Sequence, residues 1–193
     1  MTEAFTYSML CIGDAEFIRS AAIPFGSALE ECLGKEGRSA DEFPAAPLLG
    51  YDGEPRADLA TPAVLGILVF LSSWAATKVL DEVYAQTLQP LVQRWLSEAD
   101  KKVRKRKTGP TFSVSLWYED LGVAVVVLLR GDSYEELAAA SELALRAHRE
   151  VLSSRLGLAE EGDVVMCLVE GKSITAKPEV FRSVADALRS ADT

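Results

Sequence analysis

His148 is the only histidine of the chain, and an imidazole is the side chain best suited to general acid–base work near neutral pH. One histidine excludes any metal site that needs two, and a histidine-centred triad would depend on this residue alone. On a predicted helix its neighbours three and four positions away are Leu145 and Leu152. We therefore expect a histidine at the edge of the core that makes one hydrogen bond.

Asp81 and Glu82 form a second candidate acid–base group, because paired carboxylates can shift each other's pKa. Adjacent residues on a helix point about 100° apart, so the two carboxylates do not converge without outside help. Lys78 lies four positions before Glu82, and an ion pair between them explains both charges without catalysis. Asp81, Glu82 and His148 remain the groups available to an enzyme that lacks a short motif.

The short catalytic motifs are absent from the sequence: it contains no GxSxG, HExxH or GxGxxG. Gly171-Lys172-Ser173 resembles the end of a phosphate-binding loop, but Met166 stands where its first glycine is required. The three cysteines, Cys11, Cys32 and Cys167, are too widely spaced for a zinc site or a disulfide framework and fit a reducing cytoplasm. The sequence therefore predicts no catalytic residue, no metal and no cofactor.

Residues 34–60 hold the most promising binding segment, because seven glycines and prolines prevent regular structure there and long loops in compact domains are usually functional or disordered. Large apolar side chains among acids are typical of interface anchors, and a negative field attracts a basic partner. The alternative is a solvated loop whose aromatic residues fold back onto the domain. The candidate partner-binding residues are Asp41, Glu42, Phe43, Tyr51, Asp52 and Glu54.

The apolar stretch from Leu59 to Thr77 has 19 residues without a formal charge, close to the length that crosses a bilayer. Pro62 at a first helical position and an apolar stripe that continues beyond Lys78 favour a long helix over 61–107, kinked at Pro90, that passes through the domain centre. The basic run at 101–107 either completes that helix or attracts anionic lipid. A core helix is the prediction, and membrane association is the alternative.

The remaining patterns predict an α+β fold with a four-stranded antiparallel sheet, the long central helix inserted, and helices covering one face. Without the long helix and the last one, the element order is βαββαβ, that of the split-βαβ, ferredoxin-like arrangement. All 193 residues are assigned to one domain. The predicted elements are a strand at 5–12, a helix at 14–33 stopped by Gly34, a hairpin of 112–118 and 123–129, a helix from the Ser133–Glu136 capping box to about 156, a strand at 164–169 and a last helix opened by Pro178.

The charge distribution bears on the class of partner. The net charge is −9, which argues against nucleic acid as the main ligand. Residues 1–60 contain 4 basic and 11 acidic side chains (net −7), residues 61–130 contain 9 and 6 (net +3), and residues 131–193 contain 7 and 12 (net −5). The first residues carry an acid where a secretory leader would be basic, so no signal peptide is expected.

These observations predict a non-catalytic, cytoplasmic protein-binding module with an acidic surface. Bacterial toxin-neutralising immunity proteins are one class compatible with that description. The alternatives are a membrane-associated protein that uses residues 59–77 and 101–107, and an enzyme without a short motif.

Overall fold

The computed structural model describes residues 5–12, 19, 23–34, 64–71, 81–82, 84–94, 111–131, 133–155, 160–174, 178–183, 186–187 and 190. Its strands are β1 (Phe5–Ile12), β2 (Val64–Leu71), β3 (Thr111–Tyr118), β4 (Val123–Arg130), β5 (Val164–Glu170), β6 (Ser173–Ile174) and β7 (Glu179–Phe181). Its helices are α1 (Ile23–Leu33), α2 (a π-helical turn at Tyr84–Leu88 that continues as α-helix over 89–94), α3 (Tyr134–Ser141) and α4 (Ala144–Arg155).

The seven described strands form one mixed sheet in the order β1-β2-β3-β4-β5-β6, with β7 also paired to β5. β2 and β3 are parallel, β4 and β5 are parallel, and the other pairs are antiparallel. The α+β class is therefore confirmed, but the predicted four-stranded antiparallel sheet is wrong. The ferredoxin-like order is wrong as well, because here β1 to β6 follow one another in the sheet in the same order as in the chain.

The largest correction concerns residues 61–107, which we expected to form one long helix. Residues 64–71 are strand β2, held between β1 and β3. A strand with neighbours on both edges and cover on both faces is apolar throughout, so its periodicity cannot be distinguished from that of a buried helix. Ile67, Val69 and Phe70 are buried within the fold, with 1%, 1% and 7% of their surface exposed.

Only the second part of that segment is helical among the described residues, and it contains Pro90. The π-helical turn Tyr84–Leu88 immediately precedes the α-helical residues 89–94. In a regular α-helix the Pro90 ring would collide with the carbonyl of Gln86, and a wider turn before the proline relieves that collision. The irregularity predicted at Pro90 thus takes the form of a change from π-helical to α-helical winding just before the proline.

Several shorter predictions are confirmed. β1 spans the predicted residues, and β3 and β4 form the predicted hairpin, with Gly122 in the left-handed region (φ 61°) at its turn. Gly34 stops α1 with φ 63°, and Ser133 caps α3 by accepting a hydrogen bond from the Glu136 amide at 3.2 Å. The predicted start of the first helix at Asp14 lies outside the described residues.

Of the two helices predicted near the carboxyl end, the first is confirmed with an interruption and the start of the second is wrong. The helix expected from Ser133 to about Leu156 is divided into α3 and α4, because the Ser141 hydroxyl donates to the Ala138 carbonyl at 2.6 Å while the Glu142 amide turns to Ala139. The helix expected from Pro178 is replaced by strand β7, and Ser183 instead accepts the Asp186 amide at 3.1 Å as the cap of a later helical turn.

The described helices cover one face of the sheet, here called the helix face. Met9, Ile67, Val114, Val127 and Cys167 form one row across this face, in register from β1 to β5. α1 packs Phe25 edge-on against Phe112 of β3, with ring centroids 5.8 Å apart. The described helices therefore pack on the sheet from this face.

The opposite face, here called the second face, is also buried. Ser113, Ser115, Val126 and Leu128 on this face are each at most 1% exposed. Gly66 of β2 lies beside Ser113, and a Cβ atom at Gly66 would overlap the Ser113 hydroxyl and lie 2.6 Å from the Ser113 carbonyl oxygen. The close pairing of β2 and β3 therefore requires glycine at this position.

One buried polar contact joins the helices of the helix face. The Tyr84 hydroxyl of α2 donates a hydrogen bond to the Ser141 carbonyl at 3.0 Å, at the point where α3 ends. The last carbonyls of a helix have no amide partner within it, so this bond satisfies an acceptor that the break between α3 and α4 exposes. Burial also raises the pKa of Tyr84 above its ordinary value, which keeps the hydroxyl protonated as a donor.

Replacing Tyr84 by Phe should lower the free energy of unfolding by about 1 to 2 kcal/mol, because it leaves the buried Ser141 carbonyl without its donor. Urea unfolding followed by circular dichroism measures this change. Gln93→Ala is the matched control, since Gln93 joins the same two helices through an exposed bond to Glu142 of 3.1 Å and should cost less than about 0.5 kcal/mol. Equal stability of Tyr84→Phe and the wild type would contradict the assigned role.

Replacing Gly66 by Ala should lower the free energy of unfolding by about 2 to 3 kcal/mol, because the added methyl group meets a backbone oxygen that cannot move away. Gly26→Ala is the control: it lies inside α1, its methyl would meet the flexible Met9 thioether at 3.3 Å, and helix propensity favours alanine by up to about 1 kcal/mol. Similar thermal unfolding of both variants would show that the β2–β3 spacing tolerates a side chain.

Candidate functional site

His148 lies in the core, 1% exposed, on the face of α4 that meets β3. Its Nε2 atom is 3.1 Å from the Val114 carbonyl oxygen, so Nε2 carries the proton and donates. Nδ1 is buried and has no hydrogen-bond partner among the described residues. Burial lowers the pKa of His148 to about 3, although the bond to Val114 acts in the opposite direction. The predicted core histidine with one hydrogen bond is confirmed, and it lies deeper than the edge position we expected.

The other predicted acid–base groups lie on or near α2. Glu82 is exposed and accepts a hydrogen bond from Gln86 at 3.3 Å, whereas Asp81 is half-buried. The ion pair expected between Lys78 and Glu82 stays a prediction, since Lys78 lies outside the described residues.

His148 is closed off from solvent, so no substrate could reach its imidazole in this conformation.

Cys167 of β5 is a buried cysteine on the helix face. Burial raises the pKa of its thiol to about 11, and the negative charge of Glu150 adds to this effect. A thiol in this state is a poor nucleophile at neutral pH. Among the described residues no group of three or more histidine, cysteine or acidic side chains is placed to hold a metal ion.

The predicted partner-binding residues cannot be placed in the fold. Asp41, Glu42, Phe43, Tyr51, Asp52 and Glu54 all lie outside the described residues, and so does the basic run at 101–107. Their assignment as a contact surface, and that of the basic run to lipid, stay predictions.

The described residues do bring together one group of charges that the sequence patterns did not join. The turn between β3 and β4 carries Glu119 and Asp120, and the turn before β5 carries Glu160 and Glu161; all four are exposed. We call these four residues the acidic turn pair. The Gly162 amide donates to the Gly122 carbonyl at 2.8 Å, so the two turns are in direct contact.

Gly122 also sets how closely these two turns approach. A Cβ atom at Gly122 would lie 2.6 Å from Cγ of Glu161, and its backbone is in the left-handed region. Glycine is therefore required at this position both for the turn and for the contact. The result is a platform at one end of the sheet on which four acidic residues are exposed to solvent.

Asp163 holds the turn before β5 in place through its buried carboxylate. It is 5% exposed, its Oδ2 accepts the Glu160 amide at 2.9 Å, and its Oδ1 lies 3.6 Å from the Arg182 guanidinium that follows β7. Arg182 itself has 84% of its side chain exposed, which limits the strength of this ion pair. Asp163 acts mainly by fixing the backbone of the turn, while the exposed acids remain directed outward.

The sequence shows the acidic dipeptides Glu119-Asp120 and Glu160-Glu161, but it does not show that they lie close together. Their proximity follows from the parallel pairing of β4 and β5, which places the segments that precede both strands at one end of the sheet. In the predicted split-βαβ order these two strands would also run in the same direction, but the strand at 5–12 would lie between them. Alternation of apolar residues does not distinguish parallel from antiparallel neighbours when a strand is buried on both faces.

No protein-family model, no curated protein and no solved structure matches this chain. The candidate site therefore rests on its geometry alone.

None of the helices within the described residues is long and apolar enough to span a membrane. The membrane alternative relied on a helix at 59–77, and this is wrong over residues 64–71, which form β2.

Replacing His148 by Gln should flatten the acid dependence of stability while the amide retains a donor for Val114. In the wild type only the unfolded state takes up a proton between about pH 6.5 and pH 3, so the free energy of unfolding falls as the pH is lowered through this window. The wild type should lose about 3 kcal/mol more than His148→Gln between pH 7 and pH 4. Urea titrations of both proteins at both pH values measure this difference, and the contributions of the carboxylates cancel because both proteins contain them. Equal losses of stability in the two proteins would contradict the prediction.

Proposed function

We propose that this protein is a non-catalytic, cytoplasmic protein-binding module whose acidic surface docks a basic partner protein. The class of bacterial toxin-neutralising immunity proteins is compatible with this proposal. The observation that carries it is the charge of the described surface, where thirteen exposed side chains are acidic and six are basic. The six exposed cations are Arg19, Arg94, Arg146, Arg149, Lys172 and Arg182.

The acidic turn pair is the described part of this surface that best suits a docking role. Its four carboxylates project from two turns whose backbones are hydrogen-bonded to each other, so the backbone has little entropy to lose when a partner binds. A concentrated negative field also accelerates encounter with a basic protein over a distance of about 10 Å at 0.1 M salt. A positively charged patch on the partner would match both features.

Residues 41–54 supply the second element of the proposal. Charges at an interface raise the association rate and orient the partner, whereas buried aromatic anchors give most of the affinity. Phe43 and Tyr51 are the proposed anchors, and Asp41, Glu42, Asp52 and Glu54 extend the acidic surface around them. This division of roles makes the two elements separable by experiment.

The proposed compartment and the absence of catalysis have their own support. The three widely spaced cysteines of the sequence, Cys11, Cys32 and Cys167, suit a reducing compartment. The imidazole of His148 is buried and neutral, which leaves it without a role in acid–base chemistry at neutral pH.

Neutralising the acidic turn pair should weaken binding to the basic protein that the wild-type chain captures from the lysate of its own source. The variant Glu119→Gln, Asp120→Asn, Glu160→Gln and Glu161→Gln should raise Kd at least tenfold at 50 mM salt and reduce the dependence of Kd on salt. Titration by fluorescence at 50 and 200 mM salt measures both effects.

The matched control neutralises four exposed acids in or beside the helices and changes net charge by the same amount: Glu30→Gln, Glu31→Gln, Glu135→Gln and Glu142→Gln. It should change Kd less than threefold. Equal weakening by the two variants would show that only net charge matters, and no weakening by either would remove the acidic surface from the interface.

Truncating the anchors Phe43→Ala and Tyr51→Ala together should act on the dissociation rate, because buried contacts hold a complex after it has formed. We expect dissociation to accelerate at least tenfold at both salt concentrations, with the association rate nearly unchanged; surface plasmon resonance separates the two rates. Ile23→Ala is the control, since Ile23 is an apolar side chain of α1 with 56% exposure outside the proposed surface. An unchanged dissociation rate would remove residues 41–54 from the interface.

A further inference from the structure

No further inference is drawn: the strongest candidate, the pair of buried and unpartnered hydroxyls of Ser113 and Ser115 on the second face of the sheet, carries nothing because the described residues show neither a ligand nor a space that would admit one.

Discussion

The parallel pairing of β2 with β3 is the constraint on which the rest of the fold depends. Two parallel neighbours need a connection that returns the chain to the end of the sheet where the first strand began, and α2 lies in that connection. One continuous helix through 61–107 is excluded because residues 64–71 are strand β2. β2 also pairs with β1 at its other edge, so it lies between two strands and is apolar on both faces.

The close approach of β2 and β3 restricts which residues can occupy certain positions on them. Gly66 is opposite Ser113, where any side chain would collide with the neighbouring strand. On the helix face the same pair presents Ile67 and Val114 to the helices, and the Val114 carbonyl accepts the buried proton of His148. β3 therefore links the close pairing with β2 to the position of α4.

Two buried polar groups, His148 and Tyr84, fix the helix layer on this surface. Each donates to a backbone carbonyl: the first joins α4 to β3, and the second joins α2 to the end of α3. Apolar packing alone would allow the helices to slide, because it has little directionality. The two donors supply that directionality, and neither side chain is exposed enough to take part in binding.

The sequence by itself determined the elements whose signals are local. The capping serine at Ser133, the stop at Gly34 and the hairpin turn closed by Gly122 each depend on a few neighbouring residues, and each was predicted correctly. It also determined the excess of acid, since charge is a property of composition. Only the tertiary structure decided that Val64–Leu71 is a strand, because a short apolar run suits a buried strand and a buried helix equally well. Only the tertiary structure brought Glu119 and Asp120 beside Glu160 and Glu161, because the direction of neighbouring strands depends on contacts between residues far apart in the chain.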